Sequence, residues 1–185
     1  EPGQFVQAVP GAGLKVPLYI LGSSLFGARL AAMTGLPYAF ASHFAPAAMM
    51  QAIELYRAEF QPSEQLSEPY VMVGFNVFAG ESDAEAIYLR SSSQQSFLNL
   101  RRGQAGPLPP PVEGFEETLT APEKMVLDDI LSCSVAGSGK TVLAGVQEFA
   151  ARTQADELIV TSHIFDHANR LRSFEILADV GIAKS

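Results

Sequence analysis

The 185-residue chain carries 12 basic against 20 acidic residues, a formal charge of −8, with 48% hydrophobic and 17% charged residues. That much apolar material excludes disorder as the default and suffices for the core of one domain spanning residues 1–185. The acidic balance, without a run of lysine or arginine, excludes nucleic acid as a main partner, and no apolar run reaches the roughly 18 residues of a membrane helix.

The opening EPGQFVQAVPGAG lacks an initiator methionine and reads as a connector, so the chain is expected to begin inside a longer protein. It also lacks the basic start and apolar middle of a signal peptide, and the expected address is cytoplasmic. VPLYILGSS, Val16 to Ser24, is an apolar run of β-formers that stops at Gly-Ser-Ser, and LFGARLAAMTG after it carries helix formers up to a terminating Gly35. That pattern predicts strand, turn, helix. LPYAFASHF, Leu36 to Phe44, predicts a second strand; Pro46 then opens a helix whose apolar face is Met49, Ile53, Tyr56 and Phe60.

YVMVGFNVFAG, Tyr70 to Gly80, predicts a long buried strand, and Ser82-x-x-Glu85 is a capping box for a helix running to about Arg102. The proline-rich segment 103–114 can be neither helix nor inner strand and is expected as a surface loop rather than a domain boundary. Thr120-x-x-Glu123 caps a short helix through about Leu131, and Val142, Val146 and Phe149 mark one face of another. DELIVTSHIF is the last strand; Asp166 caps a final helix with Leu171, Phe174 and Leu177 on one face. Four strand–helix units in a row predict an α/β fold, a parallel sheet or barrel with helices outside.

Three motifs suggest chemistry and are weighed against their context. SVAGSGKT, Ser134 to Thr141, looks like the phosphate cradle of a nucleotide hydrolase, but Ser134 stands where the first glycine should, and KMVLDDILSC before it is helical in pattern where a buried strand is needed. A Gly-Ser turn with Ser138 capping the next helix and Lys140 in solvent is favoured. GSSLF at Gly22 resembles a nucleophile elbow, but Phe26 replaces the closing glycine. HIFDH places His163, Asp166 and His167 close in sequence; with the helix starting near Asp166 the two histidines do not share a face, and no metal is predicted. The single cysteine, Cys133, cannot form an internal disulfide and reads as a small buried residue.

Gly22-Ser23-Ser24 carries more. It follows an apolar strand and opens a helix, where unpaired N–H groups and the positive end of the helix dipole face outward, serine hydroxyls add donors, and glycine lets the backbone come close. A phosphate fits there. A serine-capped helix end without a ligand is the alternative on these residues alone.

These segments in this order, from VPLYILGSSLFGARLAAMTGLPYAFASHF through YRAEFQPSEQLSEPYVMVGFNVFA to ADELIVTSHIFDHANRLRSFEILA, resemble the luciferase-like flavin monooxygenases, close to the luciferase-family oxidoreductases. The resemblance runs from about Val9 onward. It implies a (β/α)8 TIM barrel of which this chain is the carboxyl-terminal half, its four βα units being the fifth to eighth. It further implies that the Gly22-Ser23-Ser24 turn holds the phosphate of FMN, and that Ser42 and His43, at the end of the next strand, face the flavin or its ribityl chain. The implied activity is monooxygenation of a small organic substrate by O2 and reduced FMN, the flavin being reduced by a separate reductase, since no Gly-x-Gly-x-x-Gly fingerprint for a dinucleotide is present. No catalytic residue is singled out. Two other readings stay open: a non-catalytic, flavin-binding half-barrel that needs the missing amino-terminal half or a second copy of itself, and a P-loop NTPase.

Overall fold

The computed structural model describes residues 3, 5–6, 9–11 and 13–181. Five parallel strands alternate with helices: β1 (Ile20–Gly22), α1 (Leu25–Thr34), β2 (Tyr38–Phe40), α2 (Met49–Glu59), β3 (Val71–Ala79), α3 (Asp83–Arg101), α4 (Ala121–Ile130), β4 (Ser134–Gly137), α5 (Gly139–Thr153), β5 (Glu157–Thr161) and α6 (His167–Asp179). Short 3-10 turns stand at Pro46–Ala48 and Phe115–Thr118.

Nine residues long and apolar on both faces, β3 is the strand on which the others assemble. Val71, Val73, Phe75 and Val77 alternate onto the helical side, where Phe75 stacks on Phe149 of α5 with ring centroids 4.3 Å apart. Backbone direction alternates along a strand, so β3 residues two apart bond the same neighbour. Tyr70 accepts from β2 and Asn76 donates to Cys133 beside β4, while Val71 accepts from Asp156 beside β5. Strands β2 and β4 therefore share one edge of β3, one after the other, and β5 takes the opposite edge.

That arrangement corrects the expected count of four strands. The extra strand, β4, is made of Ser134–Gly137, residues expected to form a turn; it pairs Asn76 through Ala79 of β3. Only four residues long and with Val135 its single β-branched residue, it has no periodicity of its own to reveal it. Predicted strand ends are also trimmed: β1 pairs only three residues with β2. Before it, Gln65 replaces a strand, its side-chain amide bonding both the N–H and the C=O of Leu18 at 2.9 and 2.8 Å.

The helices follow the local signals closely. Gly35, at φ 63°, ends α1 in the left-handed conformation that spares glycine any Cβ clash. Ser82 accepts from the Glu85 N–H at the start of α3, and the Glu123 carboxylate accepts from the Thr120 N–H and hydroxyl before α4. In α6 the expected apolar face holds only at Leu177, which packs on the core: Leu171 and Phe174 are 49% and 38% exposed, and the buried positions are Ser173 and Ile176. Ser173 is buried because its hydroxyl accepts the Ala79 N–H at the end of β3, at 2.9 Å. Apolar periodicity cannot see a serine that serves as a backbone partner. Residues 103–114 contain no helix or strand and are tied to α3 by Gln95 Nε2 donating to the Pro110 carbonyl and by the Val112 N–H donating to Ser91.

Among the described residues no helix is long and apolar enough to cross a membrane.

Candidate functional site

Because all strands run parallel, their carboxyl ends gather at one end of the sheet, and in open or closed α/β sheets that end is where loops can present polar groups. Gly22-Ser23-Ser24 leaves β1 there. Ser24 is the residue before the first turn of α1, in extended conformation, and its hydroxyl makes no capping bond. Its carbonyl accepts from the Ala28 N–H at 3.4 Å, the first bond of the helix, so the amides of Leu25, Phe26 and Gly27 precede any helical partner. Ser23 and Ser24 are both exposed.

Tyr38 of β2 braces the turn from below. Its ring is fully buried and its hydroxyl donates to the Ser24 carbonyl at 3.1 Å. Burial pushes that phenol up to about 12, so it stays a donor at any ordinary pH. A Cβ placed at Gly22 would meet the Gly27 Cα only at 3.7 Å, an ordinary contact. Packing inside the chain does not demand glycine at that position.

At the end of β2 the two predicted residues part company. Ser42 is fully buried, and its hydroxyl donates to the carbonyl of Gly74. Gly74 falls between the β3 residues paired by β2 and those paired by β4, so its carbonyl has no strand partner, and Ser42 supplies one. His43 instead lies over Gly74: a Cβ there would stand 2.0 Å from His43 Nδ1. That nitrogen is buried without a hydrogen-bond partner, and the ring packs on Phe44 at 4.3 Å between centroids.

One residue overlooked in the sequence holds His43 in place, and a second holds that residue. Asn76, fully buried in β3, donates from Nδ2 to the His43 carbonyl at 3.4 Å, and its Oδ1 accepts the Thr161 hydroxyl from β5. A buried asparagine inside the apolar run YVMVGFNVFAG was the available signal, since such a side chain must be hydrogen-bonded by something. His163, two residues beyond β5, acts on His43 through its charge. His43 is pushed below its usual range by burial first and by His163 second, and His163 is lowered by burial and then by Arg170. Both imidazoles are neutral near pH 7, each able to donate from one nitrogen and accept at the other.

The remaining motifs resolve by geometry. In SVAGSGKT the first four residues are strand β4, Ser138 stands before the helix, and α5 begins at Gly139, so the motif contains no phosphate loop. The anion position at that helix end is taken by the chain itself: the Asp83 carboxylate accepts from the Ser138 N–H at 2.7 Å and from the Thr141 hydroxyl at 2.8 Å. Those bonds hold Asp83 below its ordinary carboxylate range. Ser138 thus occupies the capping position without its hydroxyl capping the helix, its own N–H is held by Asp83, and Lys140 is exposed. Asp166 accepts from the Asn169 N–H, and His167 is exposed beside Arg170, while His163 belongs to the strand end. Among the described residues no three ligating side chains gather. Cys133 is buried against Met49, sulfur to sulfur 3.9 Å, and burial raises its thiol pKa.

Residues 2–157 match the profile of the family described as luciferase-like monooxygenase. A protein of that description from Escherichia coli K12 is 46% identical over 180 residues, 97% of this chain and 54% of its own length. The solved structure of apo-MsnO8 superposes with a TM-score of 0.83 at 30% identity, covering 96% of this chain and 54% of that one. A coenzyme F420-dependent tetrahydromethanopterin reductase from Methanopyrus kandleri shares the fold, with a TM-score of 0.56 at 11% identity over 87% of this chain and 48% of its own. The chain spans about half the length of the curated relatives it matches.

Proposed function

The chain belongs to the luciferase-like monooxygenases, with the α/β, TIM-barrel type of fold over about half the length of those proteins, and from that premise we propose that it is the phosphate-binding half of an FMN-dependent monooxygenase that oxidises a small organic substrate with O2. The observation that carries this reading is the β1–α1 turn, where two exposed serine hydroxyls, one of them at the capping position yet unused for capping, adjoin three helix-start amides. An anion there is favoured by the amides and the helix dipole together. Gly22 is not required by packing within the chain, which suits a position kept small for a ligand's approach.

In this reading Gly22, Ser23 and Ser24 hold the phosphate, and Tyr38 keeps their turn from drifting. His43 offers its outer nitrogen to the flavin or ribityl chain, held by Gly74 beneath and Asn76 behind. Ser42 acts indirectly, fixing the backbone that carries His43. Bound reduced flavin supplies the activation of O2. A separate reductase supplies the reduced flavin, and the compartment we assign is the cytoplasm.

The test is a fluorescence titration of FMN, riboflavin and coenzyme F420 into the chain, alone and joined to the amino-terminal half of the E. coli relative. FMN should bind at least about tenfold more tightly than riboflavin, which lacks the phosphate, and Ser23→Glu with Ser24→Glu should abolish the difference. Equal binding of FMN and riboflavin, or an unaltered preference in the double variant, refutes the phosphate assignment; a preference for F420 transfers it to that cofactor.

A second reading has its own support. Leu21 and Ile159, on the strand side away from the helices, are 70% and 38% exposed, and by this reading the chain binds flavin but turns over nothing until a second half covers them. Turnover by the chain alone, with a reductase and a panel of thiols, aldehydes and amines, separates the two.

A further inference from the structure

The two nitrogens of His43 stand in different surroundings. Gly74 lies on the face of β3 opposite Val73 and Phe75, and the imidazole rests on it by one edge: Nδ1, Cε1 and Cγ come to 2.0, 2.9 and 3.1 Å from where a Cβ would stand. Nδ1 is buried there without a hydrogen-bond partner. Nε2 is on the far edge of the ring, directed away from Gly74, and the residue as a whole is half-buried.

The polar groups of this strand end are engaged with one another. The Gly74 carbonyl accepts the Ser42 hydroxyl, Asn76 Nδ2 donates to the His43 carbonyl, and Asn76 Oδ1 accepts from Thr161. Phe44, its ring centroid 4.3 Å from that of His43, adds an apolar wall. A neutral imidazole carries one proton and leaves its other nitrogen a bare acceptor. Of the two ways to bury a nitrogen unpaired, the N–H is the one that folded chains avoid more strictly, so the proton belongs on Nε2. A second proton would press an unpaired donor and a charge against Gly74, which burial opposes and the charge of His163 opposes further.

We infer that His43 is a hydrogen-bond donor in one sense only, its proton kept on Nε2 by the seat of Nδ1 on Gly74, and that it serves an uncharged oxygen or nitrogen acceptor of the bound ligand, a role that rests on the flavin reading for the identity of that ligand. It is then neither a base nor a cation at this end of the sheet. A neutral donor leaves the phosphate to the β1–α1 turn, and takes a carbonyl oxygen or a ring nitrogen, groups with only partial negative charge.

The experiment labels the imidazoles with 15N and reads long-range proton–nitrogen correlations at pH 7, in the 185-residue chain without ligand and then, joined to the amino-terminal half of the E. coli relative, with FMN added. Without ligand, His43 should show a bare Nδ1 and a protonated Nε2 as a single tautomer, and Gly74→Ala, which unseats Nδ1, should mix the tautomers. FMN should shift the Nε2 proton and slow its exchange with water. His43→Gln, which keeps an N–H donor, should hold FMN affinity within about twofold, and His43→Leu, which has none, should weaken it about tenfold, the worth of one hydrogen bond. A proton on Nδ1, a doubly protonated ring at pH 7, an Nε2 proton that bound FMN leaves unmoved, or equal affinity in the two His43 variants overturns the inference. A joined chain that takes up no FMN refutes the flavin reading, while a bare Nδ1 still upholds the donor assignment, because it is read without ligand.

Discussion

Gly74 is the residue at which one added methyl group probes the strand-end cluster. Gly74→Ala forces the His43 imidazole off its seat, because the new carbon would stand 2.0 Å from Nδ1. Overpacking of this kind costs roughly 1–3 kcal/mol, and urea denaturation should show the loss, together with a shifted His43 imidazole resonance. A second prediction concerns protonation. In the unfolded chain an imidazole takes its proton near pH 6.5, whereas burial delays it for His43 and His163 in the folded chain. Within that interval the unfolded state binds more protons, so stability rises with pH; the contribution is whole above the ordinary value and lost as pH falls through the folded ones. NMR titration should place both imidazoles below 6.5, and unfolding midpoints should drop from pH 7 toward pH 5. A midpoint independent of pH across that range, once His43→Asn serves as the control, counts against the cluster.

At the level of elements, the turn after β1 and the start of α5 illustrate two ways to treat a helix end. At the α5 end a carboxylate of the chain itself, Asp83, accepts the Ser138 N–H and the Thr141 hydroxyl and ties that end to the start of α3. Asp83→Ala should lower the unfolding midpoint at neutral pH. Asp83 has its folded pKa below the ordinary carboxylate value, so its stabilisation is present above that value and vanishes as pH falls through the folded one; the variant and the parent should converge in strong acid. The α1 end, by contrast, is steadied from below by Tyr38 and left open above. Tyr38→Phe removes one hydroxyl while leaving the Ser24 carbonyl its bond from Ala28, and should cost about 1 kcal/mol. If the turn holds a phosphate, the same change also weakens FMN binding; an unchanged affinity would detach Tyr38 from the site.

For the molecule as a whole the question is what covers its apolar borders. A groove of about 820 Å³ runs along β5 between α5 and α6, walled by Leu143, Val146, Leu158, Val160, Phe174 and Leu177. Leu21 is 70% exposed at the far strand of the sheet. Apolar patches and unpaired strand edges of this kind drive association. Expressed by itself, the chain should therefore self-associate at tens of micromolar by sedimentation equilibrium, and a charged substitution such as Val160→Glu should shift it toward monomer. A parent chain that stays monomeric removes the groove as a joint.

What the sequence determined by itself is what depends on neighbours in the chain. Met49, Ile53 and Tyr56 are buried where their spacing puts them, Gly35 stops α1, and Ser82 opens α3, because helix faces and caps are decided within one or two turns. The Gly22-Ser23-Ser24 turn was legible for the same reason. The tertiary structure alone decided the rest. It turned Ser42 inward onto Gly74, made a strand of Ser134–Gly137, buried Ser173 in place of Leu171, and joined His43 to Asn76 and Asn76 to Thr161. Each of these is a polar group finding its partner 30 or more residues away in the sequence, apart from the strand, which exists only because β3 offers it an edge; hydrogen bonds between distant segments leave no period in a sequence, and only the folded chain shows which donors and acceptors meet.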